Sequence, residues 1–206
     1  MNKRENYYLL HLKESRDCCR IIADPSDPSI IPYGGIEGFG IIEELPVLLE
    51  IKRQSLNSKT GYELSSDISN ITPLWFDLLN NSLGVLMFSE RSVEVITYIL
   101  NGNESFYWVR CRVRGIDDIR NYYIPSFDNT EDVLNEDMSS ISYDRFWVKT
   151  PVIDSAKTRG KVLINGSGLF QGLDRYPLSL YVADKLRKAM MDSRLTGISF
   201  DRLKVV

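Results

Sequence analysis

The stretch Phe106 to Val113 constrains this chain more than any other. Side chains alternate along an extended backbone, so Tyr107, Val109, Cys111 and Val113 share one side. Phe106, Trp108, Arg110 and Arg112 share the other. The pattern predicts a strand with one apolar face and a mixed aromatic and basic outer face, and therefore a sheet that other segments must complete.

Those segments can be read from the same periodicities. Tyr7 to Leu12, Val47 to Lys52, Tyr122 to Ile124 and Phe146 to Lys149 are short runs rich in aromatic and β-branched types, and they read as strands. Asp24 to Gly40 holds three prolines and four glycines and reads as a long loop. Residues 54–70 are polar, with Gly61 as the turn. A helix opens at Ser89, whose hydroxyl suits the free N–H groups of a first turn; Val93, Ile96 and Leu100 line one face, and Asn101-Gly102 stops it. Asn165-Gly166 reads as a hairpin turn between Val162-Leu163-Ile164 and Leu169-Phe170. Leu178 to Val182 is a strand leading into a helix over Asp184 to Ser193, with Val182, Leu186, Ala189 and Met190 on one face. Gly197 ends that unit, and Ile198-Ser199-Phe200 alternates like a closing strand. Strands and helices mix without a regular βαβ rhythm. The expectation is therefore an α+β fold, a mixed and mainly antiparallel sheet with a few packed helices. Its 206 residues suit one domain, or two lobes divided as 1–85 and 86–206.

Composition narrows function by exclusion. Hydrophobic residues make up 43% and charged residues 26%, which is enough apolar content for a core. A net charge of −3 lacks the basic footprint of a nucleic-acid binder. The first apolar run, Tyr7 to Leu12, is too short for a signal peptide, and the longest, near Leu83 to Phe88, is too short for a membrane span, so the expected location is the cytoplasm and no membrane partner is expected. Cys18, Cys19 and Cys111 have neither the parity of a disulfide framework nor Cys-x-x-Cys spacing.

One histidine leaves little room for familiar chemistry. A multi-histidine metal site is excluded, and any Ser-His-Asp or Cys-His arrangement would have to use His11, which lies inside the first strand. Gly35-Ile36-Glu37-Gly38-Phe39-Gly40 has its glycines in the reverse order of a dinucleotide loop, with Glu37 where phosphate would sit. Gly166-Ser167-Gly168 lacks the Lys-Ser/Thr of a phosphate loop, and the acidic run from Asp128 to Asp132 lacks the glycine of a calcium loop. No catalytic set, cofactor site or metal site is read from the sequence. Carboxylate pairs remain: Glu43-Glu44, Asp117-Asp118, Glu131-Asp132 and Glu136-Asp137. They would serve acid–base chemistry only where one member is desolvated.

Charge is distributed unevenly. Between Asp117 and Asp144 stand eight acids (Asp117, Asp118, Asp128, Glu131, Asp132, Glu136, Asp137 and Asp144) and one base, Arg120. The rest of the chain is correspondingly basic, notably Lys185, Arg187, Lys188, Arg194, Arg202 and Lys204. Such asymmetry suits electrostatic docking to a basic protein. The competing reading is a solvated acidic loop paired with the chain's own cations.

The C-terminal part resembles a known family. Leu169-Phe170, then Leu178-Ser179-Leu180-Tyr181-Val182-Ala183-Asp184, then Gly197 and Phe200 as a Gly-x-x-Phe close, resemble the closing elements of bacterial polymorphic-toxin immunity proteins. Val85 to Ser89 opening a helix, and Tyr122-Tyr123-Ile124 followed by Asp132-Val133-Leu134-Asn135, are similar to that family's middle segment. Ala183 stands where the family usually has Ser, and Gln171 where it often has Arg. The resemblance implies a cytoplasmic α+β protein that neutralises a cognate toxin by occlusion, with that toxin as its partner. The expected interface is then Asp117, Asp118, Tyr122, Tyr123, Asp128, Glu131, Asp132, Glu136 and Asp137, with Phe127 and Tyr143 as further aromatics. A place in the core is the alternative for the aromatics. The other functional readings are a small metal-independent enzyme using a carboxylate pair, and a protein-binding adaptor.

Overall fold

A computed structural model describes residues 5–13, 19–30, 41–57, 59, 61–127, 131–135, 137–142, 147–165 and 180–206. In chain order the strands are β1 (Tyr7–Leu12), β2 (Cys19–Pro25), β3 (Glu44–Asn57), β4 (Gly61–Ser65), β5 (Leu78–Leu79) and β6 (Met87–Ser89). Helix α1 (Glu90–Ile99) precedes β7 (Phe106–Arg114), β8 (Ile119–Phe127), β9 (Ser140–Ser142), β10 (Trp147–Thr150), β11 (Val152–Ile153), β12 (Leu163–Asn165) and β13 (Leu180–Ala183). Helix α2 (Asp184–Asp192), β14 (Ile198–Arg202) and β15 (Lys204–Val205) close the chain. Strands dominate and the described helices are two, so the fold is α+β.

The larger sheet has the order β2-β3-β7-β8-β6-β5, with β4 paired to β3. Its pairs are antiparallel except β3 with β7, which is parallel. The smaller sheet, β12-β13-β1-β14, is antiparallel throughout and joins the two ends of the chain: Tyr7 faces Ala183, and Leu10 faces Phe200. Pairing in both sheets crosses residue 85, so lobes of 1–85 and 86–206 do not correspond to the two sheets.

Burial follows the alternation of β7. Val109, Cys111 and Val113 point into one core with Leu45, Leu49, Ile51, Met87 and Tyr122. The opposite side of β7 is divided along its length. Phe106 and Trp108 pack against a second core built from α1, α2 and the smaller sheet, whereas Arg110, Arg112 and Arg114 are exposed. Aromatic edges reinforce the covered half: Trp108 meets Phe88 at 5.9 Å and Phe106 at 5.1 Å between ring centroids.

The helices form where their ends are satisfied. Ser89 Oγ accepts the Ser92 N–H at 3.2 Å as the N-cap of α1, and Glu90 sits in the positively polarised first turn. Ser92 and Ile96 are the buried positions. Ala183 cannot cap α2 with its side chain; Asp184 lies in the first turn instead and pairs with Arg187 at 2.9 Å and Lys188 at 2.7 Å.

Several sequence expectations change. The stretch 24–40 is not loop from its start: β2 runs to Pro25 and a 3₁₀ turn covers Pro28–Ile30, while 31–40 lies outside the described residues. Proline is tolerated there because β2 is an edge strand. Residues 54–65 form a hairpin rather than a polar connector, Asn57 pairing with Gly61, whose φ of +84° suits glycine. β8 begins at Ile119, earlier than its apolar part, because β7 supplies a continuous partner. β12 pairs with β13, and Leu169-Phe170, the expected hairpin partner, lies outside the described residues together with Phe146 and Leu178.

Candidate functional site

The expected interface residues separate into two groups. Asp117 and Asp118 are exposed at the tip of the β7–β8 hairpin, where the Gly115 N–H donates to the Asp118 carbonyl at 2.8 Å. Glu131, Asp132 and Asp137 follow the far end of β8. That strand's nine residues extend roughly 26 Å at ~3.3 Å per residue, so the acidic stretch does not begin and end at one place. Asp128, Glu136, Tyr143 and Asp144 lie outside the described residues.

Several of the acids already hold cations. Asp118 pairs with Arg120 at 2.9 Å, Asp132 with Lys157 at 2.7 Å, and Glu131 with Lys161. Glu44 holds Arg110, and also Arg112 at 3.0 Å. Exposed pairs of this kind contribute only about 0–1 kcal/mol each, but they reduce the field that the acids project.

The aromatics divide as well. Tyr122 is a correction to the expected interface: it is 2% exposed, its hydroxyl donates to the Phe76 carbonyl at 2.7 Å, and its ring stacks on Trp75. Burial raises its phenol pKa. A residue so enclosed belongs to the core and offers no surface to a partner. Phe127 stacks on Phe106 at 5.0 Å between centroids. Tyr123 is half-buried, directly across from Arg110, and its pKa is raised by desolvation and then by Glu90.

The hairpin tip is braced from beneath. A Cβ on Gly115 would come within 2.6 Å of Trp75, so only glycine lets that ring pack under the turn. The Arg120 guanidinium lies 4.5 Å above the Trp75 ring and is held by Asp118. Ile116 and Ile119, 52% and 53% exposed, project from this support. A groove of about 360 Å³ runs beside the tip, between Ser66–Ser69 and Arg114–Ile116, with Ile51 among its lining residues.

Other chemistry-bearing groups are engaged in structure. His11 Nε2 lies 3.2 Å from Asp201, and Nδ1 lies 3.1 Å from the Leu12 carbonyl. Ser199 sits across from His11 in register, and Nε2 makes no hydrogen bond among the described residues despite its approach to Asp201. Asp77, which no sequence motif marks, is a buried carboxylate. It accepts from Ser89 Oγ at 2.8 Å, from the Thr196 N–H at 2.7 Å and from Thr196 Oγ1 at 2.9 Å. Cys111 is fully buried, and its thiol pKa is pushed up to about 12, chiefly by desolvation and then by Glu44. Among the described residues, no group of three or more His, Cys, Asp or Glu side chains could hold a metal ion. No helix among them is long and apolar enough to cross a membrane.

No protein-family model matches the chain, and no curated protein matches it significantly.

Proposed function

We propose that this chain is an immunity protein that binds a bacterial toxin and neutralises it by occlusion, with the hairpin tip as part of the contact. The observation that carries this reading is the tip itself: two exposed isoleucines beside Asp117, on a turn already held by Trp75 and Arg120. A preorganised apolar projection loses little conformational entropy on docking, which is what an interface anchor requires. The exposed acid at its side favours approach by a basic partner. Resemblance of the C-terminal part to immunity proteins supplies the partner class. A stable complex would need about 1,200–2,000 Å² of total buried surface, so the tip would be the centre of a larger contact.

The test is rescue of bacterial growth against the toxic domain encoded beside this gene. Expression of this chain should restore growth, and Ile116→Asp with Ile119→Asp should abolish rescue while leaving the thermal melt unchanged. Failure of the soluble, abundant wild type to rescue would overturn the function. Full rescue by the double variant would overturn the location only.

A further inference from the structure

The open half of the larger sheet carries a charge pattern that is complementary to itself, and we infer that this face pairs with the same face of a second copy of the chain. Arg110, Arg112 and Arg114 form a row along β7, with side chains about half exposed. Glu44 and Glu50 form a row along β3, about one-third exposed. The parallel pairing of these strands sets Glu44 level with Arg110, Leu48 level with Arg112 and Glu50 level with Arg114, with a register shift between Glu44 and Leu48. The result is a positive row about 4.8 Å from a row with an acid at each end and Leu48 between them.

Of the two-fold axes along and across the strands, the first matches the opposite charges at both ends of the rows. An axis parallel to the strands and midway between the rows lays β3 of each copy over β7 of the other without changing levels. Glu44 of one copy then faces Arg110 of the second, Glu50 faces Arg114, and the reverse contacts follow by symmetry. An axis across the strands lays like rows over each other and is repulsive. Packed sheets stand about 10 Å apart, a gap that facing Arg and Glu side chains can bridge together. Glu44 already bonds two arginines within its own chain, so β7 brings one more cation than β3 has acids to match.

Footprint sets the strength. Three strands wide and about six residues long, the face covers roughly 15 by 20 Å, well under the ~800 Å² per partner of a standard interface. The dimer is therefore concentration-dependent and sensitive to salt. It does not rest on the immunity reading.

Sedimentation velocity of the whole chain from roughly 10 to 500 µM tests this, at about 0.1 M and about 1 M NaCl, where the screening length falls from ~10 to ~3 Å. The wild type should dimerise at low salt, with a dissociation constant at least about tenfold higher at high salt. Glu44→Arg with Glu50→Arg should be monomeric alone, as should Arg110→Glu with Arg114→Glu. An equimolar mixture of the two should dimerise, because the altered rows again meet as opposites. A wild type that stays monomeric throughout overturns the inference, even if a variant fails to fold. So does a mixture of two folded variants that stays monomeric.

Discussion

Gly197 lies at a close approach of the two sheets, and its replacement by alanine tests how they are joined. The residue has φ +77°, and the Leu78 N–H donates to the neighbouring Thr196 carbonyl at 3.0 Å. A Cβ added there would overlap the Leu78 carbonyl oxygen and stand 3.0 Å from Phe76 Cβ. Both neighbours belong to the segment that includes β5, in the larger sheet, while Gly197 leads directly into β14 of the smaller one. The left-handed backbone costs an alanine about 1–2 kcal/mol. The overlap involves backbone, which cannot swing away, and adds about 1–3 kcal/mol. A loss of about 3 kcal/mol lowers the melting temperature of a chain this size by roughly 6–12 °C. Gly102→Ala is the control, since Gly102 has φ +82° but nothing within 4 Å of an added Cβ. It should carry the backbone cost alone. Urea and thermal unfolding followed by circular dichroism would measure both. If Gly197→Ala is no worse than Gly102→Ala, the close approach has no energetic weight and the reasoning fails.

Asp77→Ala should cost about 2 kcal/mol in urea unfolding, because the buried carboxylate accepts from the half-buried Ser89 hydroxyl and from the Thr196 N–H and hydroxyl; a cost under about 0.5 kcal/mol would show that these bonds are replaced by water. The phenol pKa values of Tyr7 and Tyr181 are both pushed up to about 12 by burial, above the ordinary 10.0. Burial favours the neutral form, so this stability is complete below about pH 10 and is lost as pH rises through about 12. Tyrosinate absorbance should show these two rings and that of Tyr122 ionising late and together with unfolding; simple titration of every tyrosine near its ordinary value would contradict it. The Cys111 thiol should react with Ellman's reagent at least about a hundredfold more slowly in the native protein than in urea, read by peptide mapping, and fast native labelling would refute its burial.

Local pattern made β7 legible, and more of its message was available than a strand assignment. The switch from Phe106 and Trp108 to Arg110 and Arg112 on one face marks where the second core ends and the open face begins. Period-2 alternation reports which face a residue takes, and residue type along that face reports what covers it. The α1 start was equally legible, because the Ser89 cap is a contact within one turn. Strand partners were not: β1 pairs with β13 and β14, from the other end of the chain, and nothing in Tyr7 to Leu12 encodes that choice. Asp77 was invisible for the same reason, since its meaning comes from Thr196, 119 positions away.

The acidic stretch shows how sequence proximity misleads about surfaces. Eight acids in one segment suggest a single negative patch, but the segment contains β8, and a strand is the most extended path a chain can take. Its beginning and end are therefore carried apart, and each meets different cations: Arg120 at the tip, Lys157 and Lys161 at the far end. Both lysines come from outside the segment, so part of the basic excess in the remainder of the chain is used to neutralise this one. Among the described residues, what reaches solvent is a pair of smaller, partly compensated surfaces. Of the two, the hairpin tip presents exposed isoleucines on a braced turn. Charge of that size can guide a partner's approach, but the energy of holding it would have to come from Ile116 and Ile119.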